Sequence, residues 1–280
     1  MANILNHQSA VTTKIIIEGE SGTGKTGALA SLADAGYNLR ILDYDNGLDI
    51  LKDLLTAKGG KYGAESASRV EFITLTEKLK AQGGKVYPLA ATVWQRSIDL
   101  MGNWKEGETS LGAIASWTSK EVLVIDTLTG LARGAYNFIL SLNGQLMNPP
   151  TGYDYQRKVG QAQSLVETFL EMLTSNEIKC NVIVNSHISY QDEPGSVRAS
   201  QEEALPQQGF PTSLGRALGP RVPRLFNSVL LTKKVGMQRK LLTSTSSNVN
   251  LKTSAPTRVK PEYSIETGLA EYFKAVRGEV

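Results

Sequence analysis

The sequence predicts an α/β fold: a mostly parallel central sheet flanked by helices, with a C-terminal antiparallel extension. Three observations carry this expectation. Short apolar runs alternate with helix-length segments as far as residue 187, the pattern of parallel strands whose connecting helices cover both faces. A glycine-rich turn at residues 19–26 joins the first apolar run directly to the first helical segment. Beyond residue 228 the alternation stops, and short β-prone runs follow one another across turn-like joins.

The elements follow in order. Ile15-Ile16-Ile17 reads as a short buried strand. Residues 27–35 read as a helix stopped by Gly36, and residues 39–42 as a second buried strand ending in Asp43-Tyr44-Asp45. Asn46-Gly47 is a turn signal, and residues 48–57 have helical spacing. Gly59-Gly60 opens a glycine-containing stretch of lower order. Residues 70–75 read as a third strand, 89–104 as a helix, and 122–125 as a fourth strand ending at Asp126. Residues 159–173 form an amphipathic helix with Val159, Ala162, Leu165, Val166, Phe169 and Leu173 on one face. Residues 182–184 are a fifth strand leading into Asn185-Ser186-His187. Residues 188–224 are polar and punctuated by glycine and proline, long enough that function or disorder is expected of them. Residues 228–233, 240–245 and 249–253 supply the antiparallel extension, and 268–276 a last helix. No internal repeat is visible. One domain is expected over 1–280, with its core at about 14–255 and a C-terminal tail and helix at 256–280.

Composition narrows the class. The 280 residues are 41% hydrophobic and 20% charged, ordinary for a globular chain. No apolar run reaches the length of a membrane span, and residues 1–13 lack the basic-then-apolar pattern of a secretory signal. The one cysteine, Cys180, precludes an intramolecular disulfide and reads as a small buried hydrophobe. With only His7 and His187 beside it, a structural zinc site is not expected. These features fit a cytoplasmic setting. The net charge of +3 hides an asymmetry. Residues 205–261 hold ten Lys and Arg with no Asp or Glu, so the remainder is acidic. Such a stretch fits an anionic partner, or a basic face that only aids solubility.

The most specific motif is Gly19-Glu20-Ser21-Gly22-Thr23-Gly24-Lys25-Thr26, a full match to G-x-x-x-x-G-K-[ST] between a strand and a helix. Glycines let the backbone wrap a polyphosphate closely. The inward amides and the helix N-terminus supply partial positive charge. Lys25 would meet the β and γ phosphates, and the Thr26 hydroxyl would coordinate Mg²⁺. The motif thus points to a bound nucleoside triphosphate, ATP, with Mg²⁺.

Three strand ends add chemistry. Asp126, closing the run Val122-Leu123-Val124-Ile125, is placed to hold Mg²⁺ directly or through water. Asp43 and Asp45 end a strand that opens onto the same crevice in a parallel sheet. Asp45 is the candidate to orient or deprotonate the attacking water, or else a cap for the following helix; Asp43 reads as structural. Ser186 and His187 are candidates to contact the γ-phosphate or the water, with a structural histidine as the alternative for His187.

In this order, the P-loop, the two acid-ended strands and the polar-ended strand resemble the ATPase core of RecA-like recombinases over roughly residues 14–255. The likeness is nearest to short phage RecA-core ATPases linked to single-strand annealing and recombination. Ile41-Leu42-Asp43-Tyr44-Asp45 resembles the segment carrying the family's catalytic carboxylate and places Asp45 on it, where RecA has a Glu. Val184-Asn185-Ser186-His187 resembles the strand and sensor preceding the second DNA-binding loop, where RecA has a Gln near the sensor position. The resemblance implies an ATPase, DNA-stimulated, acting on single-stranded DNA in a homo-oligomeric ring or filament in the cytoplasm of a bacterial host, with a single-strand-binding protein as a further partner. It implies a first DNA-facing loop within about residues 129–158, with Arg133, Arg157 and Lys158. It implies a second at 188–224, with Arg198, Phe210, Arg216, Arg221 and Arg224, whose basic groups would follow phosphates while an aromatic stacks on a base. It also implies ATP at subunit interfaces with a cation from the neighbour, for which Lys233, Lys234, Arg239, Lys240 and Lys252 are candidates by position. The same core serves helicases, helicase loaders and packaging ATPases. A P-loop small-molecule kinase, with the 188–224 arginines as a lid, and a nucleotide-gated scaffold are further readings.

Overall fold

All six residues of β1 (Lys14–Gly19) are buried, the first strand of a sheet covered on both sides. The computed structural model describes residues 11–57, 61–192, 207–244 and 248–279. After β1 come α1 (Lys25–Asp34), β2 (Asn38–Asp43), α2 (Asp49–Thr56), α3 (Ala64–Ser68) and β3 (Val70–Thr74). Two small hairpins bracket a helix: β4 (Leu79–Gln82) with β5 (Lys85–Pro88), then α4 (Val93–Gly102), then β6 (Lys105–Glu106) with β7 (Thr109–Ser110). Next are β8 (Glu121–Asp126), α5 (Leu128–Leu142), α6 (Gly152–Thr174) and β9 (Asn181–Ser186). The chain ends with β10 (Ile188–Asp192), β11 (Gln207–Pro211), β12 (Ser228–Val235), β13 (Gln238–Leu242), β14 (Glu262–Ser264) and α7 (Gly268–Arg277).

The central sheet has eight strands in the order β14-β13-β12-β1-β9-β8-β2-β3. The six from β12 to β3 pair in parallel; β13 adds antiparallel to β12, and β14 antiparallel to β13. This is the predicted fold class. Strand β9 lies between β1 and β8, so the glycine-rich turn and Asp126 sit two strands apart.

Two apolar layers hold the sheet. On one face Ile15, Ile17, Leu39, Ile41, Val122, Val124 and Ile183 pack under α1 and α7, with Leu29, Leu32, Tyr272 and Phe273. On the other, Ile16, Leu123, Ile125, Val182 and Val184 meet α4, α5 and α6 through Trp94, Leu131, Val166, Phe169 and Leu170. Each such side chain removed from water contributes about 1.5–3 kcal/mol. Burial on both faces explains why these strands are continuous apolar runs rather than alternating ones. Lys14 is the polar exception at the start of β1. Its buried Nζ donates to Leu173 O (3.2 Å), Ile178 O (2.8 Å) and Cys180 O (3.0 Å).

Several expectations are corrected. Residues 129–158 are mostly two helices; only 143–151 connects them. Leu128, Leu131, Ala132, Ala135 and Ile139 repeat at helical spacing and bury one face of α5. The helix expected at 89–104 begins at Val93, where Glu77 accepts from Thr92 N (3.0 Å), Thr92 Oγ1 (3.1 Å) and Val93 N (3.2 Å). Residues 249–253 make isolated bridges, Gly209 to Val249 and Val229 to Lys252, rather than a strand. Within 188–224, β10 and β11 form an antiparallel pair and residues 219–225 a 3₁₀ turn.

Candidate functional site

Because β1, β9, β8 and β2 run parallel, their C-terminal ends share one rim of the sheet. Gly19, Ser186, Asp126 and Asp43 end those strands. A parallel α/β sheet places its ligand crevice along such a rim. Here the crevice is a cleft of about 640 Å³, bordered by the glycine-rich turn, Asp45, Asp126, Thr127 and His187. Ile50, Leu54, Tyr62 and Ile265 form its apolar outer wall.

The turn has the backbone that its glycines permit. Gly22 and Gly24 have φ of 75° and 103°, a region that side-chain-bearing residues rarely adopt. Gly24 is the N-cap of α1, which aims the first helical amides at the cleft. Thr23 Oγ1 donates to Glu20 O at 2.7 Å and also lies 2.7 Å from Thr232 Oγ1 of β12, bracing the turn. Glu20 and Ser21 are exposed at its tip. Lys25 is buried, and its Nζ donates to Gly19 O (2.8 Å) and Glu20 O (2.9 Å). Burial lowers its pKa, opposed by the charges of Asp126 and Asp45. An incoming phosphate would offer this ammonium an anionic acceptor in place of two neutral carbonyls.

Thr26 Oγ1 donates to Asp126 Oδ2 at 2.8 Å. Asp126 is 5% exposed, and burial raises its pKa. The Thr26 hydroxyl and the Asn185 amide oppose that shift, while the charges of Asp43 and Asp45 add to it. A hydroxyl and a carboxylate meeting beside an anion cradle are the hard oxygen donors that Mg²⁺ takes along with substrate phosphates. Among the described residues no cluster of three or more acids, histidines or cysteines makes an all-protein metal cage. The Thr26 hydroxyl and the Asp126 carboxylate would be two such donors, the rest of the shell coming from water or phosphate oxygens.

The two acids after β2 differ in surroundings. Asp43 is 2% exposed, and its Oδ1 accepts from Asp45 N (3.3 Å) and Gly47 N (3.2 Å), fixing the turn. Burial raises its pKa against those backbone bonds. Asp45 has a side chain 42% exposed. Its Oδ2 accepts from Thr127 Oγ1 at 2.9 Å and lies 3.9 Å from His187 Nε2. A glycine at 130 lets α5 come this close, since a Cβ there would collide with Tyr44 and lie 3.2 Å from Asp45 Oδ1. His187 borders the cleft; burial and then the Lys25 charge lower its pKa against the pull of Asp45.

Ser186 is placed otherwise than expected. Side chains alternate along β9, so Asn185, paired in register with Asp126, takes the cleft side and Ser186 the opposite one. Ser186 Oγ lies 2.8 Å from His187 O and 3.3 Å from Thr212 O, fully buried beside the root of the β10–β11 pair. Asn185 was the polar residue to single out, and Thr127, the hydroxyl directly after the β8 acid, was also missed. Lys61, Tyr62, Ile265 and Glu266 carry no sequence signal and reach the cleft only through the fold.

The expected nucleic-acid and interface residues scatter. Arg133 is exposed on α5. Arg157, on α6, pairs with Asp154 at 2.7 Å, and Lys158 is buried. Arg198 lies outside the described residues. Phe210 is 8% exposed, its ring packed in the fold rather than offered for stacking. Arg216 is exposed, whereas Arg221 and Arg224 both pair with Glu167 of α6, at 2.8 and 2.7 Å. The acid-free stretch is thus neutralised in part by an acid from another segment. Lys233 and Lys234 are exposed, and Lys240 pairs with Glu262 at 2.7 Å. The backbone of Lys252 bridges to Val229. Arg239 Nε donates to Gly22 O of its own chain at 2.9 Å.

A scan against protein-family models and a search of curated proteins each found no match. Among solved structures the chain is similar to one described as the RadB recombinase, with TM-score 0.41 and 12% identity over 82% of this chain and 79% of that one. It is similar also to one described as a prototypical ATPase from the type III secretion system of pathogenic bacteria, with TM-score 0.40 and 13% identity. That match covers 82% of this chain and 57% of the other. At these values neither likeness bears on function. No helix among the described residues is long and apolar enough to cross a membrane.

Proposed function

We propose that this chain is a Mg²⁺-dependent ATPase, with single-stranded DNA as its partner in recombination or annealing. The observation that carries the hydrolase reading is the convergence of Lys25, Thr26, Asp126 and Asp45 on one cleft from three separate strand ends. Lys25 and the turn amides would hold the β and γ phosphates. Thr26 and Asp126 would hold Mg²⁺, whose charge when bound offsets that of the phosphates. Asp45 is the exposed carboxylate at the far side of the cleft, free on one oxygen to accept the proton of an attacking water. The water oxygen bonds to the γ-phosphorus, the bond to the β–γ bridging oxygen breaks, and its electron pair leaves with ADP. Neutral His187 stands beside Asp45 as a donor to that water or to a γ-phosphate oxygen.

The nucleic-acid reading rests on a coupling in the fold. Thr212 O, after β11, accepts from Thr129 Oγ1 at 3.1 Å, and Thr212 N donates to His187 O at 2.7 Å. The base of the 188–224 region is therefore attached to the γ-phosphate end of the cleft, so nucleotide state can reach it. Exposed Arg216, Lys233 and Lys234 supply cations. A homo-oligomer with nucleotide near the subunit boundary, and a single-strand-binding protein as a further partner, belong to the same proposal.

Phosphate release from Mg·ATP, with and without single-stranded DNA, tests both parts. Hydrolysis that DNA stimulates and Lys25→Ala abolishes is the expected result. Hydrolysis indifferent to DNA at low and moderate salt removes the nucleic-acid half. Stoichiometric transfer of phosphate to a small molecule replaces the hydrolase reading with a kinase.

A further inference from the structure

We infer that Arg239 acts in cis, on nucleotide held by its own P-loop, as the cation that stabilises charge on the leaving ADP. The inference rests on the ATPase reading above. Arg239 lies on β13, opposite Lys234 of β12, and its carbonyl accepts from Ile265 N at 3.1 Å. Its backbone is thus held on both sides. The side chain runs over Gly24, where an added Cβ would meet Arg239 Cδ at 3.1 Å. Its Nε donates to Gly22 O at 2.9 Å. Gly22 belongs to the turn whose amides face the β and γ phosphates.

Arg239 borders the cleft, and among the described residues it makes no ion pair with an acid. Its neighbours differ: Lys240 pairs with Glu262 at 2.7 Å and Lys61 with Glu266 at 2.9 Å. A guanidinium is a rigid fork of N–H donors. Among the described residues only Nε is engaged, which leaves the Nη groups to meet an anion. The strand-held backbone brings them to the P-loop without help from a second chain. When water attacks the γ-phosphorus and the bond to the bridging oxygen breaks, negative charge gathers on that oxygen, and a guanidinium beside it lowers the barrier.

The test uses the full chain with Arg239→Met, which keeps an alkyl stem over Gly24 and loses the charge, and with Arg239→Lys. Expected is a fall in kcat of about 10³-fold for Arg239→Met, the low end for such a group, with KM for ATP changing far less. Arg239→Lys should recover part of the loss. Equal mixtures of Lys25→Ala and Arg239→Met chains should stay inactive, because neither chain holds both groups. Recovery of activity in the mixture places Arg239 in a neighbour's site and overturns the inference. So does an Arg239→Met chain whose kcat stays near wild type. Calorimetric binding of Mg·ADP with and without aluminium fluoride reads the same contact without turnover. Arg239→Met should bind ADP as the wild type does and lose the gain in affinity that fluoride brings. A wild-type chain that binds Mg·ATP and never hydrolyses it would sink the ATPase reading instead, while the fluoride arm still decides whether Arg239 meets the charge of the transferring phosphate.

Discussion

Thr127 Oγ1 donates to Asp45 Oδ2 at 2.9 Å, joining the residue after the β8 acid to the acid beyond β2. One carboxylate oxygen is thereby fixed, while the residue as a whole borders the cleft. Asp45→Asn keeps an acceptor for Thr127 and loses the ability to take a proton. We expect kcat to fall about 10²- to 10⁴-fold with nucleotide affinity little changed. Thr127→Val should lower kcat less, because the base survives without its brace. Single-turnover hydrolysis beside calorimetric Mg·ADP binding separates the two. An Asp45→Asn chain that hydrolyses normally leaves Asp45 with a structural role.

Thr26→Val removes the hydroxyl from which Asp126 accepts at 2.8 Å. The buried carboxylate then loses a donor, and stability without nucleotide should drop by about 1–2 kcal/mol. The gain in ATP affinity on adding Mg²⁺ should also shrink, while Thr26→Ser retains it. Urea unfolding and titrations with and without chelator read the two effects. Equal Mg²⁺ dependence in wild type and Thr26→Val would remove Thr26 from the metal site.

Glu18 predicts a pH dependence. It is 1% exposed in β1, its Oε2 has no hydrogen-bond partner among the described residues, and burial pushes its pKa from 4.5 up to about 8. The folded chain keeps this proton over a range where the unfolded chain has released it. The associated stability is complete below about pH 4.5 and is lost as pH rises through about 8. The loss is on the order of a few kcal/mol. Glu18→Gln should flatten the fall in urea midpoint between about pH 4.5 and 8. Parallel curves for the two proteins would show that Glu18 does not titrate in this range.

Glu167 holds Arg221 and Arg224 at 2.8 and 2.7 Å. Glu167 is largely covered while its two arginines reach solvent, so Glu167→Gln should cost about 1–3 kcal/mol of stability. It frees two cations in the region proposed to meet DNA. Single-strand affinity should rise at low salt, and the slope of log K against log salt should steepen by about 0.7 for each added phosphate contact. Fluorescence anisotropy across salt checks this. An unchanged slope would show that these arginines do not face nucleic acid.

Much of the sheet was legible because strands buried on both faces leave continuous apolar runs, as at Ile15–Ile17 and Val122–Ile125. The glycine-rich turn was legible because its chemistry is local. The β4–β5 and β6–β7 hairpins were not, since nearly all their side chains are exposed and leave no pattern. Helix α5 was misjudged as loop. Gly130 and Gly134 resemble helix breakers, yet they admit Tyr44 and Val93 at close approach. The pairing of Glu167 with Arg221 and Arg224 spans 54 and 57 positions, and no local spacing announces it. Ser186 was preferred over Asn185 because the reading took the strand end as a cluster, whereas alternation allows only one of the two to face Asp126.

Lys14 has a mechanical consequence. Its ammonium gathers three carbonyls, from the end of α6 and the stretch leading into β9, onto the start of the P-loop strand. The rear ends of β1 and β9 are stapled there, at the edge of the sheet away from the cleft. Displacement imposed at the cleft must then fan outward from that staple, growing toward His187 and the β10–β11 pair. A sheet pivoted at its back and loaded at its front works as a lever, with its longest arm under the β10–β11 pair.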